Sequence, residues 1–391
     1  MKVFEIFKYF LYLGATCFGG PLALIANMRN DLVDNKKWVT QTEFENYFGY
    51  SQIAPGPIAF QVCLYIGYFM SGIAGAFWAG VGMVLPSYLV MLLFSVLYIE
   101  YGDTGYVVAA LYGISPVIIA IIFQSGIKLS QTVFKKDVFL YILFFASIGV
   151  TIFLEFQIIY VIIASALVSL IYYVIKRKTE LRGKAGSFFL HPLLFLLAKG
   201  KEFYAVLSLM LFSAGNKLLD LTYIFIKVGA LTYGSGFVIV GVLKQEVVDN
   251  FGFLTLKQFV DGLAFGQITP GPVVITSTFI GYITSGIPGS LVSTVCIFLP
   301  TFVIVMLLAR VINRVKDNFY LKALIKGANA SAIGAILSTS YFLSKDALID
   351  AYTVIIFAVS LILMWSVKTK SIYLILFAAI AGIILKVTGI V

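Results

Sequence analysis

Apolar runs of about 20 residues, the length an α-helix needs to cross a bilayer, recur along the whole chain. They cover 74–99, 105–127, 138–154, 157–175, 285–309, 350–366 and 371–390, with short polar loops between them. The pattern predicts a bundle of membrane helices. Four Gly/Pro clusters interrupt apolar stretches: Phe18-Gly19-Gly20-Pro21, Ala54-Pro55-Gly56-Pro57, Tyr233-Gly234-Ser235-Gly236 and Thr269-Pro270-Gly271-Pro272. Proline removes a backbone donor and clashes with the preceding turn, and glycine relaxes the backbone, so helices break there. Proline suits the first turn of a helix, so each Pro-Gly-Pro is expected to start one.

The pattern occurs twice. Gln52-Ile53-Ala54-Pro55-Gly56-Pro57 returns 215 residues later as Gln267-Ile268-Thr269-Pro270-Gly271-Pro272. Residues 13–57 and 228–272 align without a gap and share 13 identities, among them Gly14/Gly229, Asp34/Asp249, Thr40/Thr255 and Phe44/Phe259. After a one-residue gap the match continues through Gly67/Gly281, Pro86/Pro300 and Gly113/Gly327. The expected organisation is a first repeat (1–175), a basic linker (176–202) and a second repeat (203–391). The fold class is an all-α integral membrane protein, a polytopic bundle of two homologous halves with broken helices. Paired halves with matching breaks in an apolar chain are the pattern of a transporter built from structural repeats.

Composition agrees: of 391 residues, 61% are hydrophobic and 12% charged, against about a quarter charged in ordinary soluble domains. The net charge of +10 sits mostly in short loops and the linker, which fits positive-inside anchoring rather than nucleic-acid binding. The linker, with Lys176, Arg177, Lys178, Arg182 and Lys184, is placed in the cytoplasm and the chain in the inner membrane. Counting back, Lys128, Lys135 and Lys136 lie inside, and Glu100, Asp103 and Glu155 outside. Corresponding loops of the second half carry opposite signs: Arg310, Arg314 and Lys316; then Lys345, Asp346 and Asp350; then Lys368 and Lys370. Opposite signs imply halves of opposite orientation, an inverted-topology repeat. That requires an odd number of crossings between 185 and about 217, for which 188–213 is long enough, and gives about ten to twelve helices in all. The N-terminal stretch 4–26 resembles a signal peptide, but its equivalent lies in mid-chain, so it is expected in the mature fold. Cys17, Cys63 and Cys296 lack metal or redox spacing, and His191 is the single histidine. No metal, cofactor or enzymatic residue set is expected.

Helix N-termini with free N–H groups are natural anion sites, and broken backbone at membrane depth needs protein or water to satisfy it. Four breaks meeting near the midplane would offer donors to a small oxyanion; the alternative is kinks that only serve close packing. The candidate ligands are Gly19, Gly20, Pro21, Gln52, Pro55, Gly56 and Pro57, with Gly234, Ser235, Gly236, Gln267, Thr269, Pro270, Gly271 and Pro272. Gln52 and Gln267 either ligate substrate or satisfy freed backbone. Arg29-x-Asp31 and Lys244-x-Glu246 suggest a cation, Arg29 or Lys244, held by an acid near the path; the other charges of these segments read as interfacial. Asp261 is a proton-relay candidate, the alternative being an interfacial position, with Glu43 as another candidate; Asn46, the counterpart of Asp261, cannot titrate, so a relay would be asymmetric. Asn329 and Ser331 read as helix-contact residues rather than a ligand set, the alternative for such a polar pair in an apolar helix.

These residues resemble the chromate transporter family of bacterial inner-membrane proteins. Phe18-Gly19-Gly20-Pro21, Trp38, Pro55-Gly56-Pro57, Ile66-Gly67-Tyr68 and Leu85-Pro86 are similar to its N-terminal domain. Gly229-Ala230, Tyr233-Gly234, Gly266 to Pro272, Gly281-Tyr282 and Phe298-Leu299-Pro300 are similar to its C-terminal domain. The resemblance covers nearly the whole chain and implies efflux of chromate, an oxyanion shaped like sulfate. Two positions depart from the family pattern: Leu24 where members often have histidine, and Ala54 where they often have leucine.

The expected mechanism is alternating access around a midplane site between the halves, in a monomer or a homodimer. The rivals are a sulfate or other small-anion carrier, including an importer, an oxyanion channel, and a membrane enzyme. No paired intramembrane acids or Ser/His/Asp set supports the last.

Overall fold

A computed structural model of the chain describes residues 2–18, 20–135, 137–154, 157–180, 216–231, 236, 238–315, 318–367, 369 and 371–389. Gly19, Gly234, Ser235, Lys136, Glu155, His191, Lys316, Lys368, Lys370 and most of the linker, with 188–213, lie outside the described residues. Among those described, every regular element is helical. The helices are α1 (Val3–Thr16), α2 (Gly20–Arg29), α3 (Gln41–Ser51), α4 (Ile58–Tyr101), α5 (Gly105–Phe134), α6 (Val138–Phe153) and α7 (Ile158–Glu180). The second half has α8 (Lys217–Leu231), α9 (Val238–Lys244), α10 (Leu256–Ile268), α11 (Thr276–Val315), α12 (Phe319–Ala347), α13 (Ala351–Ile362) and α14 (Ser371–Val387). Fourteen helices are thus labelled among the described residues; α2, α3, α9 and α10 are too short to appear as 20-residue apolar runs, so this is not a count of the spans expected from such runs. Four of the described helices are long and apolar enough to cross a membrane: Ile58–Tyr101, Gly105–Phe134, Ile158–Arg177 and Val273–Ile312.

Each half starts with the same local devices. Turns of π-helix, Asn30–Asn35 and Gln245–Asn250, extend α2 and α9. Thr40 and Glu43 form a capping box on α3, and Thr255 and Gln258 form one on α10, satisfying the first orphan N–H groups. Asp137, Asn318 and Asp350 cap α6, α12 and α13 with side-chain oxygens.

The breaks do not merely kink spanning helices; the chain reverses at them. Tyr47 stacks on Phe69 (centroids 4.9 Å apart) and Tyr50 meets Tyr65 edge-on at 5.7 Å. So α3 and residues 58–70 of α4 lie antiparallel, with Pro55-Gly56-Pro57 at the tip. Gly262 faces Phe279, and Gly266 faces Thr276, so α10 and the start of α11 form the equivalent hairpin around Pro270-Gly271-Pro272. A second reversal follows at Ser71-Gly72 (Gly72 φ +66°) and at Ser285-Gly286 (Gly286 φ +62°). There Gly67 abuts the backbone of Gly75, and Gly281 that of Gly289, so closely that a Cβ would not fit. The long arms, 73–101 and 287–315, then run on. The first pair folds back as well: the Asn27 amide donates to Cys17 Sγ at 3.0 Å, and Lys227 on α8 meets Glu246 just beyond α9.

Contacts between the halves are reciprocal. Phe77 packs on Phe302 and Tyr88 bonds Ser290, so the long arms of α4 and α11, equivalent in sequence, run antiparallel. Gly113 and Gly382 bring α5 against α14, while Gly327 and Ser169 bring α12 against α7. Equivalent helices that run antiparallel are related by a pseudo-twofold axis lying across them. With the helices along the bilayer normal, that axis lies in the membrane plane, as an inverted-topology repeat requires.

Candidate functional site

The site is built on the two Pro-Gly-Pro tips. Gly56 has φ +130° and Gly271 φ +96°, conformations that L side chains rarely adopt. Both are buried, as are Pro57, Thr269, Pro270 and Pro272, and Pro55 is half-buried. Residues 58–70, after the first tip, and 273–284, after the second, whose first turn Val273–Ile275 is 3-10, are helices whose N-termini begin inside the protein. Their first N–H groups have no intrahelical partner.

The tips reach across to the opposite half. Gly56 lies against the side chain of Thr301 on α11, and Gly271 against that of Ser87 on α4. Thr301 and Ser87 are themselves equivalents, each directly after the proline of its long arm, Pro300 and Pro86. The second tip also meets two other breaks. The Gly271 N–H donates to Cys17 C=O at 3.0 Å, at the end of α1. Gly236, in the break before α9, sits against Val273 and Val274. Two of the other three breaks thus meet the second tip and the turn after it, residues 271–274. Of the sequence candidates at the other two breaks, Pro21 lies half-buried in the first turn of α2, which starts at Gly20; Gly19, Gly234 and Ser235 are not described.

The amide that satisfies freed backbone at the first tip is one that sequence reading missed. Gln61, fully buried, donates from Nε2 to Ala54 C=O at 3.0 Å and Gly56 C=O at 2.9 Å. Gln52 is exposed at the end of α3, and Gln267 is half-buried. Thr269 donates its hydroxyl to Phe265 C=O at 2.7 Å, within its own helix. Several buried polar atoms here have no partner among the described residues: Gln61 Oε1, Ser87 Oγ and Thr301 Oγ1 are among them. An unsatisfied buried group costs about 1–3 kcal/mol and calls for an explanation.

The cation pairing expected from spacing is corrected. Arg29 pairs with Asp34 at 3.5 Å rather than Asp31, and Lys244 pairs with Asp249 at 2.8 Å rather than Glu246. Both partners lie five residues on, because the π-helical turns bring i and i+5 together. Arg29 sits nine residues into α2, roughly 14 Å from its start at 1.5 Å per residue, and is largely exposed. Neither cation lies at a tip. Glu246 is instead buried and pairs with Lys227 at 2.9 Å; the first half has Tyr12 at the position of Lys227.

Asp261 is 1% exposed and accepts a hydrogen bond from Tyr98 of the opposite half at 2.8 Å. Its counterpart Asn46 is exposed. Glu43 holds the α3 cap: the Thr40 N–H and hydroxyl both donate to it at 2.8 Å. The backbone bond first, then the hydroxyl, keep its carboxyl below the usual range. No group of His, Cys, Asp and Glu suited to a metal occurs among the described residues. Ser87 and Thr301 were legible only as the matched residues after matched prolines. Tyr98 and Lys227 carried no signal beyond being polar in apolar helices.

Comparison with known proteins gives one answer. The family model for chromate transporters matches residues 4–170 and 219–383, one match per half. The chain is 33% identical over 384 residues to a probable chromate transport protein of Synechococcus elongatus, covering 97% of this chain and 95% of the relative. It is 33% identical over 367 residues to a chromate transport protein of Cupriavidus metallidurans, covering 94% and 89%. It is 30% identical over 385 residues to an uncharacterized transporter of Methanocaldococcus jannaschii, covering 97% and 93%. No solved structure matches the chain. Matches to both halves at the positions of the two sets of hairpins place this multi-pass membrane protein in the chromate transporter family, a family of transport proteins rather than enzymes.

Proposed function

We propose that the chain exports a small tetrahedral oxyanion, chromate first among them, from the cytoplasm across the inner membrane. The observation that carries this is the pair of Pro-Gly-Pro tips, each a buried helix N-terminus pressed against the opposite half. Free N–H groups and the dipole at such ends favour negative charge. Relatives named for chromate transport supply the cargo.

In this reading Gly19, Gly20, Pro21, Pro55, Gly56 and Pro57 shape the path with Gly234, Ser235, Gly236, Thr269, Pro270, Gly271 and Pro272. Arg29 and Lys244, at the outer ends of α2 and α9, collect anions before the tips, and Gln52 and Gln267 flank the approach. The antiparallel long arms rock about their crossing, exposing one tip at a time. Membrane potential acts at ~2.3 kcal/mol per charge per 100 mV. A dianion leaving a negative cytoplasm therefore gains roughly 4–5 kcal/mol per 100 mV, more than a thousandfold at equilibrium, so export does not require proton coupling. For coupling to protons we assign the role to Asp261 with Tyr98, because Asp261 is buried and bonded to the Tyr98 hydroxyl whereas Glu43 is engaged in its cap.

The test is chromate release from proteoliposomes under an imposed potential, with sulfate as competitor. Saturable release that follows the potential is expected. Sulfate carried in place of chromate would change the cargo, uptake against the potential would reverse the direction, and non-saturating flux would make the protein a channel.

A further inference from the structure

The helices of this protein contain many hydroxyls, and most bond back to their own helix. Ser95 donates to Met91 C=O, Ser115 to Leu111, Thr294 to Ser290 and Thr339 to Ala335, all near 2.8 Å. That is the ordinary way to bury a serine or threonine in a helix. Ser87 and Thr301 depart from it. Both are 0% exposed, and neither Oγ has a partner among the described residues. Both turn away from their own helix toward the α-carbon of a tip glycine, Ser87 toward Gly271 and Thr301 toward Gly56. The two positions are equivalent, so the same unpaired hydroxyl occurs twice, each time facing the other half's tip. Each tip leads into the first turn of a helix, whose first N–H groups have no intrahelical partner; after the second tip these are Val273 and Val274, since the Ile275 N–H donates to Pro272 C=O at 3.0 Å.

The geometry points to Ser87 and Thr301 as the side-chain donors to the transported oxyanion, one at each tip, completing two related half-sites with the backbone N–H groups of residues 58–60 and 273–274. This rests on the anion-transport reading and deepens it. The ligands would be neutral donors supplied across the interface between the halves, rather than the cations Arg29 and Lys244. Each half-site takes its tip from one half and its hydroxyl from the other, so a rocking motion of the long arms assembles one and opens the other. At the first tip, Gln61 Oε1, also unpartnered and 0% exposed, is an acceptor for water or for a protonated anion.

The experiment uses the full chain in proteoliposomes, with chromate and, separately, sulfate as probe, reading KM and maximal rate. Ser87→Ala and Thr301→Val are each expected to raise KM tenfold or more while the maximal rate stays within about threefold. Ser87→Thr and Thr301→Ser, which keep the hydroxyl, should stay within about threefold of wild-type KM. Should Ser87→Ala fail to fold, Ser87→Cys keeps the volume with a weaker donor and carries the same expectation. Ser293→Ala is the control: that hydroxyl is equally buried and unpartnered, but faces Gly281 within its own half. Unchanged KM in Ser87→Ala and Thr301→Val, or an equal rise in Ser293→Ala, overturns the assignment and leaves anion transport standing. An effect at one position only overturns the two-site form. A wild type that carries neither anion overturns the transport reading, and this assignment with it.

Discussion

Gly56 and Gly271 carry two constraints at once, a positive φ and a neighbour where a Cβ would go. Gly56→Ala therefore meets both backbone strain, of order 1–3 kcal/mol, and a clash with Thr301. Thr301→Ala should relieve only the clash, so the double variant is expected to recover part of the melting temperature lost by Gly56→Ala, never all of it. Full recovery would show that φ strain contributes nothing. Glu43 supports a prediction about pH. Its carboxyl is held below the ordinary glutamate value of 4.5 by the Thr40 backbone and hydroxyl. A carboxylate lowered in the folded state stabilises above its unfolded pKa, and that contribution is lost as pH falls through the folded value. Loss of the N-cap in Thr40→Ala should cost about 1 kcal/mol near neutrality. The deficit against wild type should shrink as pH drops below about 4.5, measured by melting in detergent. Gly56 was visible in the sequence because glycine between prolines has few other uses. Gln61 was not, because nothing in its apolar helix says which carbonyls its amide will meet.

At the scale of elements, the two halves share a plan and differ in charge. The Arg29–Asp34 and Lys244–Asp249 pairs arise from the same π-helical turn, and the first is exposed on both sides. Exposed pairs contribute ~0–1 kcal/mol, so Arg29→Ala should hardly move the melting temperature. Lys227–Glu246 is different, with the glutamate side chain 3% exposed. Removing one partner of a buried pair costs about 3–5 kcal/mol, whereas replacing both with apolar groups is often neutral. Lys227→Met should therefore be strongly destabilising, and Lys227→Met with Glu246→Leu should restore much of the loss. A double variant no better than the single would mean that Glu246 stabilises through some other contact. Sequence spacing paired each cation with the acid two residues on, and the helix type decided otherwise. A π turn of six residues leaves no composition signal that an α-turn would not.

For the whole molecule, the antiparallel long arms make a claim about sidedness. Asp34 and Asp249 are equivalent positions at the outer ends of the first hairpins, exposed or partly so. Asp34→Cys and Asp249→Cys should react with a membrane-impermeant thiol reagent from opposite faces of the membrane. The native Cys17, Cys63 and Cys296 are buried and should stay silent. Labelling of both from one face would place the halves parallel and undo the pseudo-twofold arrangement. The sign inversion between equivalent loops foreshadowed this arrangement because charge near a membrane records orientation.

The sequence by itself determined the membrane class, the duplication, the helix breaks at the two Pro-Gly-Pro motifs and the family. Hydrophobic run length, internal identity and the backbone chemistry of glycine and proline are all local properties. That the breaks are hairpin tips rather than kinks required the tertiary structure, since a reversal is defined by what packs beside it: Tyr47 on Phe69, and Gly67 on Gly75. The exchange of Ser87 and Thr301 between halves was decided there too. Residues 184 or 245 positions apart, as are Ser87 with Gly271 and Gly56 with Thr301, meet only because two antiparallel helices cross, and no local pattern encodes the partner of a long-range contact.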